Sequence, residues 1–162
     1  AIVPILLVIA TWGAPRYFPK PEHRTVIRKI MLLTLLLLYY LSGLMLYLSW
    51  GVKGALHHFP LLFWNGIGAF FILFGNIMPK LRRNPIAGIR FSWTMENDEV
   101  WRRVHYYGGF ETIIAGILIC VATFVFPHDA ALRYAEYTII TIYLITVTVH
   151  SRRIARAMRD NS

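Results

Sequence analysis

The apolar positions of this chain fall into long blocks joined by short polar connections. Four blocks approach or exceed the length that crosses a bilayer core, about 17–25 residues. They are IMLLTLLLLYYLSGLMLYLSW (30–50), FPLLFWNGIGAFFILFGNIM (59–78), YYGGFETIIAGILICVATFVF (106–126) and the marginal YAEYTIITIYLITVTVH (134–150). A further block at the start, AIVPILLVIATWGA (1–14), would cover only about 21 Å as a helix. No basic region precedes it, so a signal peptide is not expected. The expectation is a chain that begins partway through a helix, with an interfacial stub as the alternative. The predicted fold class is all-α: a polytopic transmembrane helix bundle with five membrane segments, the first truncated. A missing helix ahead of it would bring the total to six.

One polar passage interrupts this pattern, NPIAGIRFSWTMENDEVWRRVH (84–105). From Met95 onward it predicts an amphipathic helix. Thr94 or Asn97 serves as N-cap, Asp98 and Glu99 fill the first turn, and Arg102 and Arg103 follow a turn later. Asp98–Arg102 and Glu99–Arg103 have the favourable acid-before-base order at i,i+4. Val100, Trp101, Val104 and His105 make the opposite, apolar stripe. Such a helix suits a membrane interface, and Gly108-Gly109 would let it turn into the next span. Upstream, Pro79 stops the preceding helix, and Lys80, Arg82 and Arg83 meet headgroups. Gly88 marks a bend, and Phe91 and Trp93 anchor the extended piece IRFSW at the interface. The passage is thus expected to be a structured cap over the bundle.

Charge sets the orientation. Lys plus Arg number five in residues 15–29, one in 51–58, six in 79–105, one in 127–133 and four in 151–162. Basic residues mark cytoplasmic connections, so the cap and the C-terminal tail are expected to be cytoplasmic. The net charge of +9 is then mostly topology, and direct nucleic-acid binding is not expected. Only 15% of residues are charged and 57% are hydrophobic, which fits an integral membrane protein without a separate soluble domain. The expected division is 1–58 (N-terminal transmembrane segments, incomplete at the start), 59–150 (a three-span domain with cap 79–105) and 151–162 (a basic tail).

Small residues suggest how spans meet, because helix association in lipid relies on close backbone approach. Gly68 and Gly75 are seven apart on one face, as are Gly108, Ala115 and Ala122, with Gly109 and Gly116 beside them. The two helices are expected to touch along that seam.

Chemistry is sparse. The sequence has no H-E-x-x-H, G-x-S-x-G or Walker motif and no carboxylate dyad in a span, and no enzyme is expected. Cys120 alone excludes an internal disulfide and reads as a small buried apolar residue. Glu111, about a turn inside its span, is a candidate for proton or ion handling. Pairing with Arg102, Arg103 or Lys80 is the structural reading. Asn65 and Asn76 are expected to donate between helices. His57, His58, His128 and Asp129 share the outer side and could hold a metal or sense pH, but they match no ligand spacing. His105 or His150 could ligate a haem or pigment, but no C-x-x-C-H is present and a solvated interfacial role is plainer. No cofactor and no metal are expected.

A resemblance enters at the cap. GN-x-x-PK at 75–80, Asn84, GIR at 88–90, WT at 93–94, EVW at 99–101, His105 and GG at 108–109 occur in one order with tight spacing. This resembles the SdpI-like family of bacterial membrane proteins, named for immunity to a sporulation-delaying killing peptide. The family's last three spans correspond to residues 59–150, and its members typically carry a further helix and an extracytoplasmic stretch before the point where this chain begins. Two departures stand out: Phe91-Ser92 replaces the usual Thr-Pro, and Phe110-Glu111 follows the glycines where Lys is common.

The resemblance implies a multi-pass protein of the bacterial inner membrane, with its C-terminus cytoplasmic. The implied role is immunity against a secreted membrane-active peptide, signalling by partner capture, or both. Partners would be lipid, the peptide toxin and a membrane or cytoplasmic protein. The expected cap residues are Asn76, Pro79, Asn84, Gly88, Arg90, Trp93, Thr94, Glu99, Trp101 and His105. The alternatives are an accessory structural subunit of a larger membrane complex and, more remotely, a transporter or membrane enzyme centred on Glu111.

Overall fold

The computed structural model describes residues 21–126 and 130–160. The expected first segment (1–14), His128 and Asp129 lie outside the described residues. Four long helices make the bundle: α1 (Pro21–Ser49), α2 (Ala55–Ile77), α4 (Asp98–Val125) and α5 (Ala130–Arg159). A single 3-10 turn (Met78–Lys80) and the short α3 (Ser92–Met95) lie between α2 and α4. No strand occurs among the described residues.

α1 starts well before its apolar block, because Ile27 and Ile30 find a buried place against Met78, Leu81 and Trp101. It ends where Gly51 (φ 65°) and Gly54 (φ 81°) adopt left-handed backbone and reverse the chain into α2. Tyr40 ties α1 to α2: its hydroxyl donates to the Leu62 carbonyl, and its ring occupies the space a side chain at Gly66 would need.

The closest approach in the bundle is between α2 and α4. A Cβ on Gly68 would lie 2.8 Å from the Gly116 carbonyl oxygen, and one on Gly116 would lie 2.6 Å from that of Gly68. Gly75 and Gly109 repeat the relationship at 2.6 and 2.7 Å. The antiparallel helices thus meet at two reciprocal glycine pairs, one heptad apart on each. Gly108 is rotated off that seam and faces Ile89 and Met78, while Ala115 and Ala122 are buried beside it.

Two sequence expectations change here. α4 runs unbroken from Asp98 to Val125, so there is no separate cap helix and no bend at Gly108-Gly109. Those glycines provide close contact, and the intrahelical hydrogen bonds continue through them. The basic stretch after His150 also continues α5 to Arg159, because Ile154, Ala155 and Met158 pack on Val100 and Val104 of α4.

Among the described residues, three helices are long and apolar enough to cross a membrane: Arg24–Ser49, Ala55–Lys80 and Asp98–Val125. α5 matches them in length, but Glu136, Thr138, Thr141, Thr146 and Thr148 dilute its apolar run. Large apolar side chains face outward along the bundle, with Leu36 67%, Leu46 65% and Phe124 77% exposed. Water would penalise such a surface, whereas lipid tails accept it. The protein is a multi-pass membrane protein.

Candidate functional site

The polar passage between α2 and α4 folds over one end of the bundle. Pro79 opens the 3-10 turn, and its ring packs where a side chain on Gly109 would stand. Leu81 then leaves the turn in an extended conformation, and its carbonyl accepts the indole N–H of Trp101 at 2.8 Å. Trp101 is 1% exposed and sits among Ile27, Ile30, Met78 and Leu81.

Asn84 folds the next stretch around its own side chain. Its Oδ1 accepts the backbone N–H groups of Ile86 (2.8 Å) and Ala87 (2.9 Å). Its amide donates to the carbonyls of Arg82 (2.8 Å) and Ala87 (3.2 Å). A short amide that satisfies several backbone groups is what a buried turn needs in place of water.

Gly88 follows at φ 118°, a conformation that L side chains rarely adopt. A Cβ there would also collide with the imidazole of His105. His105 is fully buried and stacks on Trp101, with ring centroids 3.8 Å apart. Its Nε2 accepts the N–H of Ile89 at 2.9 Å, and its Nδ1 donates to the Trp101 carbonyl at 2.8 Å. That pair of bonds requires the neutral imidazole with its proton on Nδ1. Both ring nitrogens are occupied, so His105 is neither a solvated interfacial residue nor available as a haem or pigment ligand.

Thr94, also fully buried, closes the other side of the loop. Its hydroxyl donates to the Ile89 carbonyl (2.7 Å) and accepts the Phe91 N–H (3.0 Å). Trp93 stacks on Phe91 at 4.7 Å and donates its indole N–H to Ser151 of α5 (3.2 Å), with the Arg152 guanidinium 5.7 Å above its ring. The cap is thereby pinned to α5 as well as to α1 and α4.

Charged groups finish the outer surface. Asn97 caps α4 by accepting the Glu99 N–H at 2.7 Å. Glu99 bonds both Arg102 and Arg103, whereas Asp98 pairs with Arg83 instead of the expected Arg102. Arg83 also donates to the Met95 carbonyl (2.7 Å), and Arg159 reaches Glu96 at 2.9 Å. Exposed pairs of this kind are screened by solvent, so they orient the cap more than they hold it.

Of the expected cap residues, Gly88, Thr94, Trp101 and His105 are gathered at the Gly88–Ile89 backbone, Asn84 builds the turn just before it, and Pro79 packs on Gly109. Trp93 lies at the α5 contact and Glu99 on the outer face. Asn76 and Arg90 are exposed and stand apart from the buried hub. Asn65 donates to Thr123 of α4 at 2.9 Å.

The sequence reading missed several participants. Glu111 pairs with Nδ1 of His150 on α5, not with Lys80, Arg102 or Arg103. The pair lines a crevice with Ile89, Tyr107 and Ser151, directly beside the cap. Two turns back along α5, Tyr143 shares a hydrogen bond of 2.9 Å with Thr112, and the Thr112 hydroxyl lies 2.6 Å from the Gly108 carbonyl. Heptad spacing of Tyr143 and His150 was the available signal for this polar column. Glu136, buried at the far end of α5, was also missed.

Comparison with known proteins places this geometry. Residues 80–150 match the SdpI/YfhL protein family. The chain is 29% identical over 93 residues to the immunity protein SdpI of Bacillus subtilis (strain 168), an alignment covering 57% of this chain and 42% of that protein. The chain therefore spans less than half the length of the curated relative it matches. No solved structure matches. The matched region begins in the 3-10 turn, takes in Asn84, Gly88, Thr94, Trp101 and His105 and ends on His150, so the cap and its neighbouring polar pair fall in the part of the chain that is similar to SdpI-like proteins.

Proposed function

We propose that the protein is a membrane-embedded immunity protein of the SdpI-like type, and that the cap is the surface through which it engages a peptide or protein partner. In this reading the bundle contributes five segments to a bacterial inner membrane, with the cap and the C-terminal end of α5 on the cytoplasmic side. The sorting of Lys and Arg among the connections supports that orientation. The likeness to an immunity protein supports the role.

The observation that carries the proposal is the division of labour within the cap. Trp101, His105, Thr94 and Asn84 spend their polar groups inward, on the loop's own backbone. Arg90, next to Ile89 in this clamped loop, is exposed. A loop that served topology alone would not need a buried scaffold of this density. A rigid loop holding a cation outward suits recognition, because little conformational entropy is lost when a partner binds.

The test is protection of Bacillus subtilis cells that lack their own immunity protein against that organism's secreted killing peptide, with the full chain expressed in them. Arg90→Ala should lose protection while membrane insertion and thermal stability stay at the starting level. Trp101→Ala should lose both, because it removes the centre of the hub. Full protection by Arg90→Ala would remove the cap from the role.

A further inference from the structure

α5 carries Glu136, Tyr143 and His150 at intervals of seven, on the face it presents to α4. The latter two are satisfied there, by Thr112 and Glu111. Glu136 is not. It is fully buried, and neither carboxyl oxygen has a hydrogen-bond partner. Cys120 of α4 feels its charge and offers no positive one, and Arg133, one turn earlier on α5, is exposed and gives neither carboxyl oxygen a hydrogen bond. On α2, the element that meets α5 through the Trp64–Tyr137 ring contact, the neighbouring polar residue is Asn65, which is neutral.

An ionised carboxylate withdrawn from solvent with neither countercharge nor donors is far costlier than the neutral acid. Surrounding lipid adds to that cost. We infer that Glu136 is a proton-binding site inside the bundle, occupied while α4 and α5 are packed together and emptied only when they part. The proton would come from the side opposite the cap, since Glu136 lies about 9 Å along α5 from its first residue.

The seam next to this site can accommodate such movement. Between Glu136 and the cap, α4 and α5 leave an outward-open groove of about 230 Å³, lined by Glu111, Ala115, Leu118, Ile139, Ile142 and Tyr143. The two helices therefore leave their seam incompletely filled on the cap side of Glu136, while the Tyr143–Thr112 bond ties them together. Loss of the proton would drive the carboxylate toward water at the near end of α5, and the open seam lets that half of the helix swing. The inference stands on burial and packing and does not depend on the role of the cap.

Two measurements on the full chain in lipid vesicles test it. Infrared difference spectra at neutral pH should show a protonated carboxyl band that Glu136→Gln removes and Glu136→Asp keeps, and the band should fade as pH rises. A carboxylate band at Glu136 at neutral pH overturns the inference. Cys120, the only cysteine in the chain, reports opening through its rate of maleimide labelling. The ratio of the unmodified chain's rate to that of Glu136→Gln should climb about tenfold from neutral to alkaline pH, equivalent to about 1.4 kcal/mol. Negative charge beside a thiol slows alkylation, so a climb reports separation of the helices. A ratio that stays flat overturns the link between proton loss and packing.

Discussion

The imidazole of His105 lies against the indole of Trp101 at 3.8 Å between centroids, and from there it accepts the N–H of Ile89, sixteen residues earlier in the chain. One helix thus supplies both the platform and the latch for the loop that precedes it. The i,i+4 spacing puts the two rings on one face of α4, and the Nδ1 bond back to the Trp101 carbonyl fixes the ring's orientation.

Removing the latch should loosen the loop. His105→Ala leaves the Ile89 N–H buried without an acceptor, a loss of about 1–3 kcal/mol. Thermal unfolding in detergent should fall accordingly, and limited proteolysis should cut within 82–97 where the unmodified protein resists. Nitrogen NMR of the ring should find the proton on Nδ1 at neutral pH. A ring protonated on Nε2 would contradict the assigned bonds.

Two glycine replacements should have opposite signs. At Gly88 the backbone is left-handed and a Cβ meets the His105 and Trp101 rings, so Gly88→Ala should cost about 1–3 kcal/mol. At Gly43, within α1, a Cβ meets nothing within 4 Å. Gly43→Ala should therefore stabilise by about 0.5–1 kcal/mol through lower backbone entropy in the unfolded chain. Equal effects in the same thermal assay would mean that the cap geometry is wrong.

The α2–α4 seam should reject bulk. In Gly75→Val the new side chain has to displace the Gly109 carbonyl and Ile113, and overpacking of this kind costs about 1–3 kcal/mol. Detergent stability should drop, and a valine at Gly109 added to the first should not restore it, because both side chains compete for the same space. Recovery in the double variant would show that the helices do not meet there.

The pair beside the cap should behave as a unit. His150→Ala strands Glu111 in a largely buried position, and Glu111→Gln weakens the contact from the other side. A double-mutant cycle on thermal stability should return a coupling of about 0.5–3 kcal/mol. Strict additivity would indicate that the two side chains do not touch.

Much of the local structure was legible in the residues. The apolar blocks located the long helices, Asn97, one of the two expected N-caps, capped its helix, and Val100, Trp101, Val104 and His105 formed the inward stripe. Each of these depends on spacing along a single element, which a period of 3.6 residues makes readable. Pairings between elements were read less well. Arg102 was assigned to Asp98 but joined Glu99, and Glu111 was assigned to the arginines but joined His150, because the choice among nearby charges depends on helix rotation.

What the sequence determined alone was the periodic content of the chain: which stretches favour lipid, where helices start, and which glycines share a face seven residues apart. The tertiary structure decided how those faces are used. It put Gly109 rather than Gly108 against Gly75, kept α4 straight through both glycines, gave His105 a backbone partner from another segment and left Glu136 buried without one. The reason is geometric. Intervals along one helix are set by covalent rise and twist, but what a side chain meets across a seam depends on the register and rotation of two elements, which only their mutual packing defines.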